Sequence, residues 1–239
     1  RTERKGIGPN LALLIGHNTV RRQVMGTENR LASDKEIKEM QNLIQVAMEY
    51  GVFGMSTGLK YIPGAYSNTA EVVALASTVS KNGGIYATHM REEGIGLIES
   101  VNEAIDIGRK SNLPVQISHH KAVGKTMWGN SIKTLELIEK ANAEGLQVTA
   151  DQYPYTATST GLTVVFPAWA LSGGREQLKK RLLDSELRQK IKDRIIWNIV
   201  YDRGGGDPAS IVVASYPKNK DYDGLNLSQI TELKGFKPN

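Results

Sequence analysis

The 239-residue sequence contains no cysteine. That excludes a disulfide-stapled scaffold and any zinc module built on thiolates. Aromatic residues make up only 6% of it, and no RNP-like aromatic pattern or basic stripe with interleaved aromatics occurs. A nucleic-acid partner is therefore not expected. No apolar run approaches the roughly 18 residues that span a membrane, so a membrane partner is not expected either. No signal-like apolar segment is present, and a cytoplasmic location is the expectation. The chain opens on Arg1 rather than methionine, which fits a fragment or a processed form. Disorder is excluded as well, because 40% of the residues are hydrophobic and only 23% are charged. Over this length that composition can bury a substantial core.

The formal charge of +5 is concentrated in the opening RTERKG and in a Lys/Arg-rich stretch from Arg175 to Arg194. Both mix basic with acidic or apolar residues and read as solvated helix faces. Between them, short apolar runs alternate with longer amphipathic segments. Strands are expected at Leu11–Ile15, Val52–Met55, Ile85–Thr88, Pro114–Ser118 and Gln147–Ala150, and a later one at Ile211–Ala214. Ser33 and Glu36 read as a capping box that opens a helix closed by Gly51. Asn68 or Thr69 caps the next helix. Leu97–Gly108 and Ile132–Ala143 repeat the pattern.

The first five strands recur at the period of a βα unit in a parallel sheet. No glycine fingerprint follows any of them, which favours a (β/α) barrel over a dinucleotide-binding sheet. Gly204-Gly205-Gly206 precedes Asp207-Pro208 and reads as a turn. After Gln152 the rhythm breaks into an irregular segment and two charged helices, about Arg175–Leu183 and Ser185–Asn198. A short helix is expected near Ser228–Leu233. The division is thus central βα units over 1–152, then a segment over 153–239 that covers the active site and begins the return to the barrel. Only five strands keep the rhythm where a barrel needs eight, so the barrel is expected only in part.

The four histidines carry the chemistry. His17 is expected at the end of the first strand, His89 at the end of the third, and His119 and His120 at the end of the fourth. Asp151 ends the fifth. Strand carboxyl ends form one face of a barrel, so His89, His119 and Asp151 share a rim. Imidazoles from adjacent strand ends can converge on one zinc ion, whose bound water and Lewis acidity suit amide hydrolysis. His17 can orient a ligand from behind, and His120 points to the opposite side from His119. Arg91 or Lys121 on the same rim could bind a carboxylate, and a tyrosine could donate to a developing oxyanion.

The strings GMSTGLKYIPGAYSNTAEVVALA, GGIYATHMREEG, VQISHHKAVG and VTADQYPYTATST resemble the N-acyl-D-amino-acid deacylases of the amidohydrolase superfamily. The resemblance runs from about Asn10 through Tyr155 and more faintly to the end. It implies a metal-dependent (β/α)8 TIM barrel that removes the acyl group from a small-molecule N-acylated D-amino acid. It also implies that His89 and His119 are zinc ligands and that Tyr61, Lys121, Tyr153 and Ser159 lie near the substrate. The family further uses a His-x-His pair, a cysteine ligand and an aspartate base, none of which is matched here. The five strands would then be the third to seventh of the barrel, with the base outside this chain and Asp151 in a supporting place. Two alternatives stay open. One is a dihydroorotase- or hydantoinase-like cyclic amidase, which usually carries a carbamylated lysine on the fourth barrel strand, the place of the second strand here. The other is a non-catalytic fragment with a partial metal site. The acyl group, the preferred D-amino acid and the oligomeric state are not legible.

Overall fold

The computed structural model describes residue 4 and residues 6–203 and 205–236. Most of the basic opening segment lies outside the described residues, as does Gly204 of the expected glycine turn. Five parallel strands form one sheet in the order β1-β2-β3-β4-β5. They are β1 (Leu14–Gly16), β2 (Gly54–Gly58), β3 (Ile85–His89), β4 (Val115–Ile117) and β5 (Val148–Ala150). Strand order follows sequence order throughout. A doubly wound sheet would reverse at a switch point, whereas a barrel winds in one direction.

Two helices, α1 (His17–Met25) and α2 (Asp34–Glu49), separate β1 from β2. One helix fills each later interval: α3 (Thr69–Lys81), α4 (Leu97–Ser111) and α5 (Ser131–Ala143). The capping box of α2 forms as expected, with the Glu36 N–H donating to Ser33 Oγ and the Ser33 N–H donating to Glu36 Oε2. Asn68 caps α3 by accepting the Glu71 N–H. These contacts satisfy N–H groups that a helix start leaves unpaired.

The period-two alternation of the strands sorts the sheet into unlike faces. Met55, Tyr86, Val115, Ile117 and Val148 lie on the face that the helices cover, and all are buried. Met40, Ile44, Val72, Leu75, Val101 and Ile138 pack onto them from the helices. Thr57, Tyr86 and Thr88 are the polar residues there, and they satisfy one another: the Tyr86 hydroxyl meets Thr57 Oγ1 at 2.9 Å, and Thr57 Oγ1 donates to Thr88 Oγ1 at 2.8 Å. Ser56, Ala87, Gln116 and Thr149 form a row of register partners on the opposite face. That face is polar, and His89 tops it. The alternation therefore decides that the imidazole points away from the helix-covered core.

After β5 the chain leaves the sheet. It makes single 3-10 turns at Leu162–Val165 and Ala168–Leu171, then α6 (Gly174–Leu183) and α7 (Ser185–Trp197). A π-helical turn, Asn198–Arg203, continues α7, and α8 (Leu227–Leu233) comes last. The expected strand at Ile211–Ala214 does not form. Only Val212 makes an isolated antiparallel bridge, to Asn226. A four-residue run between Pro208 and Pro217 offers little to pair, and Val212 is 57% exposed. No helix among the described residues is long and apolar enough to cross a membrane.

Candidate metal centre and substrate pocket

His89 is the last residue of β3, and His119 follows β4 by one turn. The carboxyl end of the sheet brings them together. His89 Nδ1 lies 2.8 Å from His119 Nε2, and the rings meet edge-on at 4.6 Å between centroids. His119 has a positive φ of +43°, an uncommon backbone state for a residue with a Cβ. Asp151 from the end of β5 holds it there. Its Oδ1 accepts the His119 N–H at 2.7 Å, its carbonyl accepts the His120 N–H at 2.7 Å, and its Oδ2 takes Gln116 Nε2 at 2.6 Å.

A third group completes the cluster. Glu93 lies four residues after His89, with its side chain only 3% exposed. Its Oε2 is 3.8 Å from His89 Nε2 and its Oε1 is 3.2 Å from His119 Nδ1. Lys121 forms an ion pair with the same Oε1. Lys121 Nζ also lies 2.8 Å from His119 Nδ1 and donates to the His119 carbonyl at 2.8 Å. Burial pushes the Glu93 carboxyl up, but hydrogen bonds from His119 and Lys121 outweigh it and hold the group at about 2. Burial pulls His89 down to about 4, helped by His119 and Lys121 and opposed by Glu93. His89 is therefore neutral near pH 7, the form that offers a lone pair to a metal.

Ligand atoms of His89, Glu93 and His119 all lie within 4.8 Å of one another. Two imidazoles and a carboxylate are a donor set that zinc takes. The residues present therefore fit a divalent metal ion.

A cavity of ≈ 250 Å³ opens on this cluster. Tyr61, His89, His119, Lys121, Tyr153 and Ser159, all singled out from the sequence, line it together. The Tyr61 ring lies 4.8 Å from that of His89, and its hydroxyl meets Thr160 Oγ1 at 2.9 Å. Burial raises the Tyr153 phenol, whose ring lies 5.7 Å from Lys121 Nζ. Glu93 and Arg203 line the same cavity.

Other expected residues lie elsewhere. Arg91 turns away, its guanidinium donating to both oxygens of Glu103 at 2.8 and 2.9 Å. It lines a separate cavity of ≈ 810 Å³. His17 does not end β1 but opens α1, fully buried, with Nε2 on Glu71 Oε1 at 2.9 Å. Arg21 Nε donates to the same oxygen at 2.9 Å. His17 thus braces α1 against α3, away from the cavity. His120 bonds Thr134 Oγ1 at 2.8 Å, on α5. Sequence reasoning missed Glu93, although the H-x-x-x-E spacing from His89 was there to find. It also missed Arg203, for which no local motif gives a signal.

A parallel βα sheet wound in one direction thus carries on its carboxyl rim a pair of histidines and a carboxylate able to hold a metal ion. No family model matches the chain. Individual proteins do. The chain is 45% identical to D-aminoacylase from Alcaligenes xylosoxydans xylosoxydans over 153 residues, which is 64% of this chain and 31% of that protein. N-acyl-D-glutamate deacylase from the same organism is 31% identical over 208 residues, covering 87% of this chain and 38% of that protein. The fold agrees. The structure of N-acyl-D-glutamate deacylase from Bordetella bronchiseptica, complexed with zinc and a phosphonate inhibitor, superposes with a TM-score of 0.76 at 26% identity, over 99% of this chain and 42% of that one. A D-aminoacylase structure described as defining a novel subset of amidohydrolases gives 0.71 at 31% identity, over 95% and 40%. The chain's relatives are therefore the D-aminoacylases and N-acyl-D-amino-acid deacylases, and the expected likeness is met in both sequence and fold. The chain spans 31% to 38% of the length of these curated relatives. The cyclic-amidase alternative lacks its lysine: β2 reads GMSTG, and Lys60 beyond it pairs with Glu92 at 2.7 Å.

Proposed function

We propose that the protein carrying this chain hydrolyses the amide bond of N-acyl-D-amino acids with the help of zinc. The convergence of His89, His119 and Glu93 in one cavity with Tyr61, Lys121, Tyr153 and Ser159 carries this reading. His89 and His119 would hold the ion. Glu93 Oε1, 3.2 Å from His119 Nδ1, would add a negative charge beside the ion. Bound there, zinc supplies Lewis acidity and a more acidic water.

The chain's own residues do the rest. Asp151 fixes the turn that presents His119. The Tyr61 hydroxyl, now on Thr160, is a donor for the substrate carbonyl as negative charge grows on its oxygen. Lys121 makes the cavity cationic, which suits a substrate bearing a carboxylate, and Tyr153 and Ser159 add hydroxyl donors. In the net reaction water adds to the carbonyl carbon, the C–N bond breaks, and the nitrogen leaves with a proton as the free D-amino acid. An aspartate base outside this chain would move that proton. Residues 153–239 act as the covering segment, and the substrate is a small molecule in a cytoplasmic setting.

The test is release of free D-amino acid from a panel of N-acyl-D- and N-acyl-L-amino acids. The protein is assayed after chelation and again after zinc return. Zinc-restored activity confined to the D series, and abolished in His119→Ala, is expected. Absence of zinc-dependent release from every D substrate overturns the reading.

A further inference from the structure

A charged cluster adjoins the metal centre. Lys60 gives two hydrogen bonds to Glu92 at 2.7 Å, and Asp202 Oδ2 stands 3.7 Å from Lys60 Nζ. Asp202 and Arg203 end the π-helical turn that continues α7. The rim loops grip this turn closely. A Cβ on Gly94 would lie 1.9 Å from Asp202 Oδ1, and one on Gly124 would lie 2.7 Å from the Asp202 carbonyl oxygen. Only glycine admits the turn at both positions, and Gly124 also has a φ of +81°. The Ile95 N–H then donates to Asp202 Oδ1 at 3.2 Å. Docked in this way, the turn delivers Arg203 to the cavity wall beside His89, Glu93, His119 and Lys121.

The neighbouring cations are already engaged. Lys121 serves Glu93 and His119, Arg91 serves Glu103, and Lys60 serves Glu92. Arg203 differs, because its Nε and Nη2 are buried and have no hydrogen-bond partner. Asp202 Oδ2 at 3.4 Å and Glu92 Oε2 at 3.8 Å balance its charge without accepting its N–H groups. The Arg203 side chain, 11% exposed, lines the wall of this small polar cavity, and a turn of its loosely paired guanidinium toward a bound planar carboxylate would give that group two N–H groups at once.

We infer that Arg203 is a substrate-binding residue, brought in by the covering segment, that recognises the carboxylate of the N-acylated D-amino acid. The inference rests on the deacylase reading for the identity of the ligand. Its test is a binding cycle on the full-length protein, using calorimetry with N-acetyl-D-leucine and its uncharged amide, N-acetyl-D-leucinamide. In the parent protein, loss of the carboxylate should weaken binding about 30-fold, the scale of a charge-assisted contact. In Arg203→Gln the same loss should matter less than about threefold, with Arg203→Lys in between. An equal acid-to-amide ratio in parent and Arg203→Gln, with the melting temperature unchanged, overturns the assignment. So does equal weakening of both ligands. Turnover separates the two claims. A protein that shows the binding cycle but never cleaves N-acetyl-D-leucine refutes deacylation and keeps Arg203 as a carboxylate site. A protein that cleaves it with the ratio unmoved by Arg203→Gln keeps deacylation and refutes Arg203.

Discussion

Glu93→Gln is the most informative single change at the candidate metal centre. The parent carboxylate is buried and faces one cation and two imidazoles. Its depression from the usual 4.5 to about 2 measures how strongly those neighbours favour the charged form. At about 1.4 kcal/mol per pH unit, the depression is worth roughly 3 kcal/mol near neutrality. Glutamine keeps the shape but leaves the Lys121 ammonium, only 16% exposed, without its counter-charge. Denaturant unfolding at neutral pH should therefore show a loss of about 3 kcal/mol, within the range for breaking a buried pair. The sign with pH follows from the depressed folded-state value. The stabilisation is fully present above the unfolded value near 4.5 and is lost as pH falls toward about 2. The parent protein should weaken across that window, and Glu93→Gln should lack this component. Adding Lys121→Met removes the stranded cation and should recover most of the loss. An unchanged unfolding midpoint in Glu93→Gln, or no recovery in the double variant, refutes the pairing argument.

Three further outcomes follow from contacts elsewhere. Asp151→Ala removes the acceptor that holds the turn at His119, so zinc affinity measured by chelator competition should fall tenfold or more, as for other residues that orient a metal ligand. Unchanged affinity would show that the turn holds itself. Glu71→Gln strands buried His17 and Arg21 and should cost about 3 kcal/mol in denaturant unfolding. Burial pushes the Glu71 carboxyl up, but hydrogen bonds and charge from His17 and Arg21 hold it lower, so its contribution is present above the usual carboxylate range and fades as pH falls below it. Ser33→Ala opens the capping box of α2 and should cost about 1 kcal/mol by thermal unfolding, a loss that an intact Arg30–Glu36 pair does not replace.

The fold was legible where local chemistry and burial agree. Ser33 and Glu36 marked the start of α2, Asn68 marked α3, and β3 to β5 sit at the expected places because helices cover one face of each, whereas β2 runs from Gly54 to Gly58 rather than Val52 to Met55. The two misreadings have physical causes. His17 ends an apolar run and so reads as a strand end, yet Gly16 lets the chain turn directly into α1, where Glu71 from α3 receives the imidazole. Ile211–Ala214 has strand composition but pairs only with the short stretch from Gly224 to Leu227, through one bridge and a few backbone hydrogen bonds, and does not join the sheet. The two histidines of the candidate metal centre were legible because a strand end is a fixed point in a βα sheet, and register carries His89 to the same level as Gly58 beside it. Glu93 was not, because Glu92 and Glu93 are chemically identical neighbours in a loop. Only the three-dimensional partners separate them: Lys60 draws Glu92 outward, while Lys121 and both imidazoles draw Glu93 in. Arg203 lay further still from any sequence signal, since its address is set by two glycines on other loops. The sheet therefore specifies where ligands stand, and the loops decide by pairing which of several like charges joins them. A substitution at Lys60 should then disturb the His89–Glu93–His119 cluster little, whereas one at Lys121 should disturb it directly.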